Sequence, residues 1–232
     1  MTPERYTVYL IRHGLTYQNL RREYQGAVLD YDILPESRIL IQQREGRGEA
    51  PELESLWVSP LIRAKRTAEL YFPGMDREIW PDLVEREFGD WDGHTHLELM
   101  DRDPDYRDFV AAYGRTTPPG GESFEDFSLR LDRILHRLEK TALENPENFP
   151  LGLVFHGGVI LHLSERLFEK GHPHHRFYTP GAGGLRLEIG LDPFRVLDSE
   201  ELFTSDIRVE ETPFYIDFDQ GKSVPMAQVT KR

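Results

Sequence analysis

Two short apolar runs in this chain stop in the same abrupt way. "YTVYLIRHG" takes Tyr6–Ile11 into Arg12, His13 and Gly14, and "LGLVFHGG" takes Leu151–Phe155 into His156, Gly157 and Gly158. Each run reads as a buried strand. Such a strand has no reason to end on an imidazole and a glycine unless its end faces something polar. Further strand-like runs lie at Leu56–Ser59 and Leu185–Ile189, with a weak one near Glu78–Trp80. Helical patterns fall between them, at Arg63–Leu70, Phe124–Leu138 and Val159–Glu169. In the second, Phe124, Phe127, Leu131, Leu135 and Leu138 recur at helical spacing behind a Ser123/Asp126 capping-box start. Gly171 is the expected C-cap of the third.

Strands alternating with helices predict an α/β fold, with a mostly parallel central sheet and helices on both faces. Ligands bind such sheets at the carboxyl ends of the strands, where both His-Gly endings sit. Leu83–Gly121, rich in Asp, Gly and Pro, breaks the alternation and reads as a cap inserted over that edge. The expected organisation is one domain over residues 1–205, with a cap at about 83–121, and an extension at 206–232. In the extension, Phe214, Tyr215, Ile216 and Phe218 suit packing on the core or on another subunit, so a homo-oligomer stays open.

The net charge of −13 argues against nonspecific nucleic-acid binding. It also means that an anionic ligand must be drawn in by a few well-placed cations. No run reaches the roughly 18 apolar residues of a membrane span, and the first residues lack a secretory-signal pattern. With no cysteine, disulfides, thiolate nucleophiles and cysteine metal sites are excluded. A cytoplasmic protein without membrane association is the expectation.

His13 and His156, each followed by glycine at a strand end, suggest a phosphate site. Glycine lets the backbone approach a ligand closely, and the helix after Gly157-Gly158 offers free N–H groups. In "SPLIRAKRTAEL", Ser59 is the expected N-cap and Pro60 the first helical residue. Arg63, close to that start, can turn back to the strand-end cleft, where an anion would offset its unfavourable place on the helix dipole. Lys65 and Arg66 are expected on a solvated face. Arg12 offers the same fork beside His13. In "LVEREFGDWDG", Glu85 is a candidate acid or base, and contact with Phe88 or Trp91 would disfavour its charged form.

Five motifs in order, "RHG" with Thr16 and Asn19, "SPLIRAKRTA", "LVEREFGDWDG", "PPGGESF" and "VFHGG", resemble the histidine phosphatase superfamily with its phosphoglycerate-mutase-like fold. The likeness runs from Tyr9 to about Ile160 and more weakly to Ile189. It implies that His13 attacks phosphorus and becomes a phosphohistidine, and that Arg12, Arg63 and His156 hold the phosphoryl oxygens. Glu85 would protonate the leaving oxygen and then deprotonate water. Thr16, Asn19, Gln25, Gly26, Glu122 and Gly157 are the further expected phosphate or substrate contacts. No metal and no cofactor are implied, and the partner is a small phosphate monoester. His13 must then be neutral, with a backbone acceptor near Gly14 holding its second ring nitrogen.

The chain also departs from that pattern. Leu15 stands where many members carry Glu, which makes the site mouth less acidic. Arg38 replaces a glycine in "DYDILPESRILIQQREG", leaving the docking of that helix open, and Phe155 replaces a common Ser. Only 26 residues separate Gly93 from Gly120, shorter than in mutases of the family and closer to compact phosphatases such as the α-ribazole phosphatases. A phosphatase is therefore the first expectation. A mutase and a non-catalytic phospho-ligand scaffold are the alternatives. His172, His174 and His175 share a loop, but adjacent loop histidines are weak metal ligands, and a rim position suits them better. His94 and His96 lie on the cap. His136 and His162 fall on helices and are expected to serve packing.

Overall fold

The structure, a computed structural model, describes residues 4–203 together with the backbone of residues 214–217 and 222–225. Its main sheet contains β1 (Tyr6–Arg12), β2 (Ser55–Val58), β3 (Glu78–Ile79), β4 (Leu151–Phe155), β5 (Gly184–Leu191) and β6 (Phe194–Leu202). The order is β3-β2-β4-β1-β5-β6. The first four strands are parallel, while β5 runs antiparallel to β1 and β6 antiparallel to β5. The helices are α1 (Tyr17–Arg21), α2 (Pro35–Gly46), α3 (Ile62–Tyr71), α4 (His96–Arg102), α5 (Pro104–Ala111), α6 (Phe124–Glu144) and α7 (Gly157–Leu167). This is the α/β arrangement that the alternation predicts. No helix among the described residues is long and apolar enough to cross a membrane.

The chain divides into two compact units. The first holds the six-stranded sheet with α2, α3, α7 and α6 from Leu129 onward. Its centre is β4, buried at every position, beside β1, whose Val8, Leu10 and Ile11 are also buried. Each such Leu, Ile or Val stabilises the fold by about 1.5–3 kcal/mol. α3 packs on β4 and α7 on β1. Ile11, Val58, Val154, Ala64, Ala68 and Ile41 meet in one cluster, joining the strands to α2 and α3.

The second unit gathers Tyr17–Leu29 with Arg86–Ser128. Trp91, Leu99, Tyr106, Phe109 and Val110 form its core. α4 starts at a capping box between Thr95 and Glu98, and Asp103 caps α5. Asp103 also accepts from Trp91 Nε1 at 2.8 Å, tying the core to a helix start. The segment expected as a cap, 83–121, overlaps this unit, which Tyr17–Leu29 joins as well. A separate hairpin pairs β7 (Phe214–Asp217) with β8 (Lys222–Pro225). The side chains of Phe214, Tyr215, Ile216 and Phe218, and with them the packing expected of the extension, lie outside the described residues.

Several local expectations need correction. α3 begins at Ile62 behind Leu61, so Ser59 is not its N-cap and Pro60 is not helical. α7 begins at Gly157 and ends at Leu167, so Gly171, at φ +97°, shapes the following loop rather than capping the helix. α6 runs on to Glu144, leaving His136 exposed instead of packed. α2 does dock, through buried Ser37, Leu40, Ile41 and Arg44, while Arg38 turns outward to Asp32.

One backbone contact sets a strict limit on the sheet. A Cβ at Gly184, opposite Ile11 in the β1–β5 ladder, would lie 2.2 Å from the carbonyl oxygen of Leu10. Main chain cannot swing aside as a side chain can. Gly184→Ala should therefore cost about 1–3 kcal/mol in urea unfolding. An unchanged midpoint would show that β1 and β5 approach less closely than described.

Candidate active site

The β1–β4 ladder pairs Arg12 with Phe155, and the next amide continues it, His13 N donating to Phe155 O at 2.9 Å. On the other side of β4, Ser59 N donates to Val154 O at 3.0 Å. The ends of β1, β2 and β4 thus deliver Arg12, His13, Ser59 and His156 to one edge. The two imidazole rings lie 5.1 Å apart, centre to centre.

His13 is buried, and its Nδ1 donates to Gly14 O at 2.7 Å. A carbonyl only accepts, so Nδ1 carries the proton and Nε2 keeps its lone pair. Burial, then the charges of Arg63 and Arg12, push its pKa well below the ordinary imidazole range, against a smaller opposing pull from the Gly14 bond. The loop is fastened on both sides. Gly14 N donates to Thr67 Oγ1 at 2.9 Å on α3, and Ala182 N donates to His13 O at 3.0 Å.

His156 has no exposed surface, and protein groups engage both of its ring nitrogens. Arg63 Nε lies 3.2 Å from Nδ1, and Ser59 Oγ lies 2.8 Å from Nε2. Arginine cannot accept, so Nδ1 is the acceptor and Nε2–H donates to Ser59. Burial, followed by Arg63, His13, Arg130 and Arg12, holds its pKa well below the usual value. Arg63 thus sets the tautomer, and Ser59, displaced from capping, accepts from the ring's Nε2–H. The start of α3 is capped instead by Asp30, whose carboxylate accepts from Ile62 N at 2.6 Å.

Arg12 Nη1 donates to Thr179 O at 2.7 Å and to Tyr178 OH at 3.3 Å. Gly157 makes room for this guanidinium, since a Cβ there would stand 3.0 Å from Arg12 Nε. Glu85 is also buried, its Oε2 accepting from Gly158 N at 2.9 Å in the first turn of α7. Arg12, His13, Arg63, Glu85 and His156 are therefore gathered in the first unit. They form a buried cluster in which the charges of Arg63 and Arg12 act on two imidazoles.

The other expected contacts divide between the units. Thr16 is fully buried and bridges to Ile33. Asn19, Gln25, Gly26 and Glu122 belong to the second unit. There Asn19 O accepts from Arg22 N, Gln25 is buried, Gly26 N donates to Asp92 Oδ1, and Glu122 N donates to Glu87 O. Phe88 packs on Tyr24, and Trp91 on Tyr106 and Phe109. Leu15 lies against Gly181. Its side chain is buried in the space that a Cβ on Gly181 would need. Phe155 is a core residue.

The loop histidines serve one another and the fold. His172 stacks on Phe168, His174 Nδ1 bonds Ser199 Oγ, and His175 Nδ1 donates to Phe168 O. On the second unit, His96 bonds Tyr106 OH. Sequence reasoning missed Thr67, Asp30, Ala182 and Thr179. Two of these act through backbone groups, which carry no mark in sequence.

The family model described as the histidine phosphatase superfamily (branch 1) matches residues 8–196. Over 172 residues the chain is 31% identical to the adenosylcobalamin/alpha-ribazole phosphatase of Salmonella typhimurium, a match covering 69% of this chain and 78% of that protein. A phosphoglycerate mutase from Thermus thermophilus is similar in structure, with a TM-score of 0.63 and 28% identity over 86% of this chain and 99% of that one. The alpha-ribazole phosphatase of Shigella flexneri reaches a TM-score of 0.72 over 88% of this chain and 99% of that one, at 24% identity, a likeness of fold.

Two imidazoles held neutral by burial have a consequence for stability. Unfolded, each takes up a proton near about pH 6.5; folded, each resists it to lower pH. The unfolded state binds more protons in that window, so stability is full above about pH 6.5 and falls as pH drops toward the folded values. Denaturant unfolding of His13→Gln should lose stability less steeply than the native protein between about pH 6.5 and 5, by up to about 1.4 kcal/mol per pH unit. Equal slopes would mean that His13 ionises alike in both states.

Proposed function

The chain belongs to branch 1 of the histidine phosphatase superfamily, and from that premise we propose that it is a metal-independent phosphomonoesterase working through a phosphohistidine on His13. The observation that carries this reading is the Nδ1–Gly14 hydrogen bond, which keeps the Nε2 lone pair of a neutral, buried imidazole beside two guanidinium groups.

In the first step the Nε2 lone pair attacks phosphorus, and the bond to the leaving oxygen breaks. Glu85, in its acid form, gives that oxygen its proton. In the second step water attacks phosphorus, its proton passes to the Glu85 carboxylate, and the P–N bond breaks. Inorganic phosphate leaves, with His13 neutral and Glu85 protonated again. Arg12 and Arg63 stabilise the charge on the equatorial oxygens, and such fixed charges do most to speed phosphoryl transfer. His156 accepts from Arg63 Nε and so fixes the plane of a guanidinium whose shape suits a two-pronged grip on phosphate. Within the first unit, Thr16 and Gly157 are proposed as further contacts.

The relatives' names make an α-ribazole phosphate the first substrate to try, within a wider set of small phosphate monoesters. The likeness to a phosphoglycerate mutase keeps one rival, transfer of the phosphoryl group within a substrate instead of to water. A non-catalytic scaffold would have no use for Arg12, His13, Arg63, Glu85 and His156 together.

Phosphate release from para-nitrophenyl phosphate should be insensitive to a chelator and fall to background in His13→Ala. Rapid quenching should trap an acid-labile phosphoprotein from the native chain only. Turnover that survives His13→Ala would sink the mechanism, and monoester isomerisation without phosphate release would favour the mutase. Glu85→Gln should lose roughly 100-fold or more on an alkyl phosphate, and far less on the aryl ester, whose phenolate needs little protonation.

Gly158→Ala tests the seat of Glu85. The new Cβ would stand 2.6 Å from Oε1, and the carboxylate, as the movable partner, would yield. Activity on the alkyl ester should fall at least roughly tenfold with the melting temperature nearly unchanged. Full activity in this variant would show that Glu85 acts from elsewhere.

A further inference from the structure

Glu85 stands at the end of a weakly supported segment. β3 is two residues long and, among the described residues, pairs with β2 alone. Beyond it come a single turn at Pro81–Leu83 and then Val84. Three arginines of α6 fasten this segment. Arg137 Nη2 lies 2.7 Å from both carboxylate oxygens of Glu78, with its guanidinium over the rings of Trp57 and Trp80. Arg133 grips the Asp82 carboxylate with two bonds, at 3.0 and 2.9 Å. Arg130 Nη1 donates to Asp82 O at 2.8 Å and to Val84 O at 2.7 Å. Positions 130, 133 and 137 form one stripe along the helix.

The members of this stripe differ in kind. Arg133 is exposed and Arg137 a third exposed, and water can replace part of what their ion pairs do. Arg130 is 5% exposed, so water can replace less of what it does. Its contact with Val84 also has the greatest mechanical consequence. A peptide group is planar, and the plane that contains Val84 O contains the Cα of Glu85. Holding that oxygen therefore holds the root of the Glu85 side chain, while Gly158 N holds its tip.

We propose that Arg130 is a positioning residue for the general acid, fixing the Val84–Glu85 peptide so that the carboxyl group reaches the leaving oxygen. The inference rests on the phosphatase reading and on the role given there to Glu85. It assigns to α6 a catalytic duty that its place outside the strand-end motifs conceals.

The test compares kcat/KM on glycerol phosphate, whose alkoxide must be protonated, with that on para-nitrophenyl phosphate. It uses the native chain, Arg130→Met, Arg130→Lys and Glu85→Gln. In Arg130→Met the alkyl-to-aryl ratio should fall at least roughly tenfold, the direction expected when a general acid is misplaced. Arg130→Lys, which keeps a buried donor, should recover part of that ratio, and it answers the question should the Met variant fail to fold. Equal losses on both esters in the folded variants would make Arg130 merely structural and overturn the proposal. A steep Glu85→Gln ratio beside a flat Arg130 ratio would sink this inference alone. A flat Glu85→Gln ratio, or no release by the native chain, would sink the reading beneath it as well.

Discussion

The parallel pairing of β1 with β4 is the constraint on which the rest of the site depends. It continues one residue beyond the strands through His13 N and Phe155 O, and so sets the two imidazoles side by side. Strand side chains alternate between faces, so a slip of one residue would send His13 and His156 to opposite sides of the sheet. The apolar residues that forbid such a slip, Val8, Leu10, Leu153 and Val154 among them, are therefore also what aligns the chemistry. Packing and catalysis are here one specification.

A second constraint is electrostatic. Burying a guanidinium is costly unless its hydrogen bonds are made, and pairing it with a carboxylate removes the charge that a phosphate would need. Backbone carbonyls resolve this conflict, since they satisfy donors without cancelling a full charge. Thr179 O does so for Arg12, Ala182 O and Phe203 O for Arg44, and Asp82 O and Val84 O for Arg130. The charge of Arg63, with that of Arg12, acts on the nearest titratable groups. It helps to keep both imidazoles neutral, and a neutral His13 is the only form that can act as a nucleophile. The cations that would bind substrate thus also prepare the group that would attack it.

This division explains what could be read from the sequence. β1 and β4 were legible because they are uninterrupted apolar runs, and Arg12, His13, Arg63, Glu85 and His156 because their types recur in an ordered set of motifs. β6 was not, because as an edge strand it carries "FRVLDSEEL", whose acidic side chains face water. The docking of α2 was obscured because buried Arg44 interrupts its apolar stripe, its side chain bonded to Tyr71 OH and two carbonyls that no pattern records. Arg130 looked like one more charge on a helix of charges. Side-chain types leave a trace in sequence; the carbonyl that a side chain reaches does not.

Ser59 shows how a local rule yields to a tertiary one. A Ser-Pro pair before a helix suits capping, yet here the hydroxyl faces His156, whose Nε2–H must find an acceptor once Nδ1 receives Arg63. A buried imidazole with an unmet N–H would be the costlier defect, because a helix end has other sources of acceptors. The vacated duty passes to Asp30, and its neighbour Asp32 binds Arg38 and Arg66. The loop before α2 is thereby tied to the start of α3, and Arg63, one residue into that helix, inherits its rigidity. One hydroxyl turned toward an imidazole accounts for both the later helix start and the Asp30 carboxylate that caps it.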